Sequence, residues 1–113
     1  MLVSDLLMKK YSINMLSYCG SDRKLADDLP RSVLPFCQHF GSIVAWVTLN
    51  KVNNYISDVS NVMCGGKVNG KKCYNYVTAV INDDGIVWFE CDKCGSFGYI
   101  NNWEMTEWDR RKI

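Results

Sequence analysis

Four cysteines in the second half of the chain carry its clearest chemistry. Cys91-Asp92-Lys93-Cys94-Gly95 sets two thiols three residues apart, with a glycine after the second. Two thiolates at that spacing reach one metal ion if the backbone turns tightly between them, and glycine relieves the turn. A closed tetrahedral site needs four ligands, and Cys64-Gly65-Gly66 and Cys73 supply the other two, in the pattern Cys64-x8-Cys73-x17-Cys91-x2-Cys94. A four-thiolate site has no open coordination position. It therefore predicts a structural zinc, Zn2+, that contributes folding energy and performs no reaction.

Two other readings compete for these residues. They could be small buried thiols in an ordinary sheet, or Cys91 and Cys94 could form a redox pair, although no βαβ pattern surrounds them. Cys19 and Cys37 have no near partner in sequence and read as buried apolar residues. His39 follows Cys37 by two positions, and side chains so close rarely align as nucleophile and base. Asp27-Asp28 and Asp83-Asp84 read as solvated turn residues. With no glycine-rich phosphate loop, paired-carboxylate motif or nucleophile elbow, the sequence offers no catalytic residue and does not read as an enzyme.

The elements that would position the cysteines follow from local pattern. Tyr74 to Ile81 and Ile86 to Glu90 alternate as strands, and Asn82-Asp83-Asp84-Gly85 between them is a hairpin turn with glycine at the positive-φ position. Phe97 to Ile100 reads as a third strand. Cys73 at the start of one strand and Cys91 at the end of the next then share one open end of the hairpin. Cys94 follows directly, and Cys64 arrives through a loop with Gly65, Gly66 and Gly70. The tail from Trp103 to Ile113 reads as a short helix or strap laid over this ribbon.

The first half is less regular. Leu2, Val3, Leu6, Leu7, Tyr11, Met15 and Leu16 have roughly helical spacing over residues 1–18, with Ser4 or Asp5 as cap. Gly20-Ser21-Asp22 breaks that pattern. Ser32 could cap a second helix running to His39 and ending at Gly41. Ile43 to Leu49, rich in β-branched residues and Trp, reads as a strand, and Val52, Tyr55, Ile56 and Val59 suggest an amphipathic helix from Lys51 to Val62. The expected class is α+β: a helical or mixed region over 1–60, then a three-stranded zinc-ribbon-like sheet over 61–113, together one compact unit.

Composition narrows the function. The chain has 113 residues, 48% of them apolar, with four Trp, six Tyr and four Phe, enough for a sizeable core. A formal charge of +1 argues against an acidic DNA mimic and against strong non-specific nucleic-acid binding, which rests on many cations meeting phosphates. Met1 to Lys10 lacks the charge-first layout of a secretory leader, and no apolar run approaches the roughly 18 residues of a membrane span. The expectation is a cytoplasmic protein with no membrane partner, whose six cysteines are thiols or ligands; a secreted, disulfide-bridged chain is the other reading. Ten Asn residues fit an A/T-rich coding sequence, such as that of a phage.

Read in order, Cys64-Gly65-Gly66, the stretch from Val87 to Cys94-Gly95, and Trp108-Asp109-Arg110-Arg111 resemble the restriction-alleviation (Lar-like) zinc ribbons of phages and prophages. Those run Cys-Pro-Phe-Cys-Gly-Gly, an apolar strand, Cys-x-x-Cys-Gly, and a closing Trp-Asn-Arg-Arg. The likeness covers residues 61–111, under half of the chain, and the terminal Trp-Asp-Arg-Arg is its most distinctive part. The family's first cysteine falls on Asn61, so either Cys73 replaces it or the site is degenerate. The resemblance implies a small phage-type regulatory or anti-defence protein, acting in the host cytoplasm by binding and modulating a host protein of the defence or regulatory machinery.

The residues are compatible with protein recognition, in which Trp, Tyr and Arg dominate binding energy. Tyr99, Trp103, Trp108, Arg110 and Arg111 are the candidate partner contacts; the competing reading makes them core aromatics and a solvated basic tail. The alternative function is a nucleic-acid-binding zinc ribbon. Lys67, Lys71, Lys72, Arg110, Arg111 and Lys112 would flank one face, with Tyr74 or Tyr76 to stack on bases.

Overall fold

The alternation Lys10-Tyr11-Ser12-Ile13-Asn14 turns Tyr11 and Ile13 inward and their neighbours outward. That period of two makes a strand, β1 (Lys10–Asn14), where helical spacing was expected over residues 1–18. The computed structural model describes residues 10–51, 58–68 and 70–111, so the start of that expected helix and its caps Ser4 and Asp5 lie outside the described residues. A short 3-10 helix, Met15–Tyr18, follows, and the Asn14 side chain accepts from the Leu16 N–H at its start.

One helix, α1 (Leu34–Leu49), replaces the expected helix-then-strand. Cys37, Phe40, Ile43, Val44 and Val47 recur at three- and four-residue spacing and are all buried. Burial of that single stripe overrides the β-branched composition of Ile43 to Leu49. Pro35 occupies the first turn, where a missing N–H costs no helical bond, and Val33, not Ser32, precedes the helix. Gly41 does not terminate it. A Cβ at Gly41 would stand 2.5 Å from Cδ1 of Trp108, so the glycine admits the indole of the C-terminal strap.

Lys51 lies in a turn, and the described remainder of the expected helix from Lys51 to Val62 is a strand, β2 (Asp58–Met63); residues 52–57 lie outside the described set. Two short strands, β3 (Lys67–Val68) and β4 (Lys71–Lys72), pair as a small ribbon. Then come β5 (Tyr76–Ile81), β6 (Val87–Glu90) and β7 (Phe97–Asn101). The hairpin between β5 and β6 forms as read, with Gly85 at φ 82° and the Asn82 N–H donating to Ile86 O.

The sheet order is β1-β7-β6-β5-β2, with β1 parallel to β7 and the other neighbours antiparallel. The molecule is thus α+β, and the three strands expected as a ribbon form the middle of a five-stranded mixed sheet. Helix α1 covers one face. Register sets Tyr11, Gly98, Phe89 and Ala79 in one row beneath it. Gly98 is needed there, because a Cβ would stand 2.6 Å from Tyr11 O. Tyr11, Phe40 and Phe89 meet in that space, with ring centroids 5.7–6.4 Å apart. The tail is a strap: Trp103 donates from Nε1 to Gly85 O, and the Arg110 N–H donates to Thr48 Oγ1 of α1.

Alanine normally stabilises a helix interior over glycine by about 1 kcal/mol. Gly41→Ala should do the reverse and cost about 1–3 kcal/mol through overpacking against Trp108. Urea unfolding measures both. In a Trp108→Ala background the same substitution should recover its normal stabilising sign.

Candidate metal centre

Strand direction brings the cysteines together. Cys64 follows the end of β2, Cys73 precedes β5, Cys91 follows β6, and Cys94 precedes β7. Because β2, β5, β6 and β7 are successive antiparallel neighbours, these four positions lie at the same end of the sheet. Backbone bonds pin each approach. The Cys64 N–H donates to Asn75 O at 2.8 Å and the Cys73 N–H to Gly66 O at 2.8 Å. In the knuckle the Cys91 N–H donates to Ser96 O at 2.7 Å and the Gly95 N–H to Cys91 O at 2.9 Å. Gly65 and Gly95 take positive φ, 74° and 79°, as the tight turns require.

All four thiols are buried, and their sulfur atoms lie within 4.8 Å of one another. Cys64 and Cys94 are 3.4 Å apart, and Cys73 and Cys91 3.6 Å. Four thiolates about 2.3 Å from one ion form a tetrahedron with edges of about 3.8 Å. The four cysteines could therefore hold a metal ion. Asn61, where the resemblance would set a cysteine, is exposed on β2, and Cys73 is the fourth thiol of the cluster. Gly66 keeps the space beside the sulfurs free: a Cβ there would lie 3.3 Å from Cys64 Sγ and 3.5 Å from Cys94 Sγ.

Donors already point at the sulfurs. Burial raises the Cys64 thiol, and the neighbouring thiols add to that against the Gly66 N–H. Cys73 is likewise raised by burial, with the Asn75 N–H opposing. At Cys91 burial also disfavours the thiolate, yet N–H groups of Cys94 and Lys93 and the Asn75 side chain outweigh it and hold the pKa at about 7. Such N–H groups offset the negative charge that accumulates when several thiolates share one cation. An all-sulfur tetrahedral donor set suits zinc or iron.

The other cysteines stay apart from this cluster. Cys37 is buried on the inward stripe of α1, where desolvation pushes its thiol up to about 11. Cys19 is half-buried and donates to Met15 O. His39 is only two positions from Cys37, and residues so spaced on a helix do not face each other. Its ring instead packs edge-on against Phe40, with centroids 5.1 Å apart, and borders Gly65. Burial lowers its pKa.

The expected partner contacts are scattered. Tyr99 is half-exposed on the sheet face opposite α1, with Lys10 Nζ 5.3 Å from its ring centroid. Trp103 is 2% exposed and belongs to the core. Trp108 is half-buried on Gly41. Arg111 pairs with Asp109 at 2.7 Å and stacks over Trp103 at 4.7 Å, while Arg110 is exposed. Lys71, Lys72 and Tyr74 are exposed near the cluster, and Lys112 lies outside the described residues. Sequence reasoning did not find that Val59, Met63, Tyr76 and Trp88 are exposed together on the sheet face away from α1, although it named Tyr76 as a stacking residue. The signal was present. β5 and β6 carry Tyr76, Val80 and Trp88 on their outward positions beside Thr78 and Glu90, whereas a half-solvated strand is ordinarily polar on that side.

Two outcomes follow. The protein should bind one metal ion per chain, more tightly as pH rises from 6 to 8 because Cys64 and Cys73 must release protons. Cys73→Ser should weaken metal retention by more than about 100-fold, beyond the range for lost outer partners, whereas Asn61→Ser should leave it unchanged; chelator competition reads both. The second outcome concerns the strap. Burial alone would raise the Asp109 carboxyl, but the Arg111 side chain and the Met105 and Arg111 N–H groups hold it below the usual carboxylate range. Its stabilisation is thus present above the unfolded pKa of about 3.9 and lost as pH falls through the lower folded value. Asp109→Asn should cost about 1–2 kcal/mol at neutral pH, and the gap to the parent should close in acid unfolding curves.

Among the described residues no helix is long and apolar enough to cross a membrane. No family model matches the chain, nor does any curated protein or any solved structure.

Proposed function

We propose that this chain is a small regulatory protein that binds another protein through the outer face of its sheet, with a structural zinc fixing one end of that sheet. The observation that carries this reading is the shared exposure of Val59, Met63, Tyr76 and Trp88 on one face. An antiparallel sheet packed on one side ordinarily presents polar residues on the other. Exposed aromatic and aliphatic residues gathered on one face instead mark a site of protein contact. Zinc is the metal that best suits a buried, closed set of four thiolates, and it adds rigidity without an open position for substrate. The reading assigns the chain no reaction.

The resemblance of residues 61–111 to restriction-alleviation ribbons supplies the setting: a phage-type protein in the host cytoplasm, modulating a defence or regulatory protein. A second reading rests on a different surface. Exposed Lys71, Lys72 and Lys93 surround the cysteine loops, and Tyr74 is 66% exposed beside Cys73, an arrangement that suits stacking and phosphate contact. The net charge of +1 and Asp92 within the knuckle oppose it.

Immobilised protein and a Met63→Glu/Tyr76→Glu variant would be compared on nuclease-treated host lysate, after both are shown to melt alike. A stoichiometric protein retained by the parent and released by the variant is expected. Equal retention by both, or retention of nucleic acid alone, would sink the sheet-face reading. Elemental analysis of native protein should return one zinc per chain; iron in its place would refute the structural-zinc assignment.

A further inference from the structure

The outer face of the sheet is not uniformly apolar, and the exception lies in a groove. Register places Thr78, Glu90 and Phe97 in one row across β5, β6 and β7, and Val80, Trp88 and Tyr99 in the next. Thr78, Val80, Trp88, Glu90 and Phe97, with Asn82, line an open cavity of about 550 Å³. Val80 is only 7% exposed although it points to the outer side, so it forms the floor. Trp88 is 40% exposed and Glu90 is exposed.

Among the described residues the Glu90 carboxylate has neither an ion pair nor a side-chain hydrogen bond; the ion pair found there joins Arg111 and Asp109. Among the described residues the groove lining contains no Lys or Arg. Lys10 is on the same face, but it sits over Tyr99 and does not line the groove. That internal contact is a working example of a cation on an aromatic ring of this surface. Register sets Lys10 in the Glu90 row, on the far side of Phe97, yet its ammonium is held over Tyr99; among the described residues Trp88 and Glu90 offer the same chemistry with no cation of their own.

We infer that this groove seats a basic side chain, arginine or lysine, contributed by the protein that covers the sheet face; the inference rests on the protein-binding reading above. The apolar floor takes the alkyl stem, the Trp88 and Phe97 rings take the cation, and Glu90 supplies the opposite charge. Charge decides against other occupants. A neutral apolar side chain would bury the carboxylate unpaired, which is costly. A phosphate would be repelled, so this face does not suit nucleic acid. The volume exceeds that of one side chain and leaves room for neighbouring residues of the partner.

The test is an NMR titration of the full-length, metal-loaded chain with N-acetylarginine methylamide, using the citrulline analogue as a neutral control of the same shape. Saturating shifts are expected at the Trp88 indole N–H and at the Glu90 and Phe97 amides. Binding should fall about five- to tenfold with citrulline and in Glu90→Gln, as loss of a partly desolvated cation contact implies, and vanish in Trp88→Leu. The seat is refuted by shifts that do not saturate, by equal shifts with citrulline, or by an unchanged response in Glu90→Gln. These outcomes separate from those of the capture experiment. Protein capture with no arginine response removes the seat and keeps the protein-binding surface. An arginine response with no captured protein keeps the seat and removes the reading that supplied its occupant.

Discussion

The convergence of four cysteines at one end of four adjacent strands is the constraint on which the rest of the structure depends. Each of β2, β5, β6 and β7 begins or ends within four residues of one of them, so one ion held there would fix the register of the whole strand set. A 113-residue chain buries a modest core, and a structural zinc contributes on the order of 10 kcal/mol of apparent folding free energy. That is comparable to the entire net stability of an ordinary domain. Without the ion, the same corner gathers four thiols, two of them raised by burial, around donors that have no cation-bound anion to serve.

The opposite end of the sheet is closed by different means. Trp103 is bonded to the β5–β6 turn at Gly85, and the strap then crosses to α1, where Trp108 rests on Gly41 and the Arg110 N–H reaches Thr48. Asp109 and Arg111 lock the strap to itself. Gly41 makes this possible by removing a side chain, not by an unusual dihedral. Gly41 admits an indole and Gly98 admits the β1 backbone. Both are close-approach positions, which explains how a glycine can persist inside a helix despite its intrinsic cost.

Legibility in the sequence tracked the distance over which each element is decided. The hairpin of β5 and β6, its Asn82–Gly85 turn, and the knuckle at Cys91–Cys94 are decided within a few residues, and they were readable. The four-cysteine constellation followed because the hairpin fixed which ends coincide. β1 was misread because its pairing partner, β7, lies 87 positions away by register, Lys10 against Phe97, and nothing local distinguishes Tyr11 and Ile13 from a helix face. The second half of α1 was misread because β-branched residues and a glycine favour other structures intrinsically, and only the buried stripe through Phe40, Val44 and Val47 tips the balance. The surface was least legible. Trp103 and Trp88 are the same residue type. One is held in the core by the strap, with its indole N–H on Gly85 O, and the other stands on the outward side of β6 and lines a groove.

The near-neutral total charge is not spread evenly over the named residues. Lys71, Lys72 and Lys93 surround the cysteine loops, whereas the groove on the outer face sets the Glu90 carboxylate beside the Trp88 and Phe97 rings. The two regions meet through β5, which begins just after Cys73 and runs beneath the groove at Thr78 and Val80. Rigidity at the cysteine end therefore bears on the shape of the groove. If an ion sets the register of β5 against β6, it also sets the spacing of Val80 from Trp88 and of Thr78 from Glu90, cross-strand neighbours in the ladder. A one-residue slip would turn those side chains to the other side of the sheet. A metal with no chemistry of its own would in this way act on recognition, by holding the groove in the register that presents Trp88 and Glu90 together.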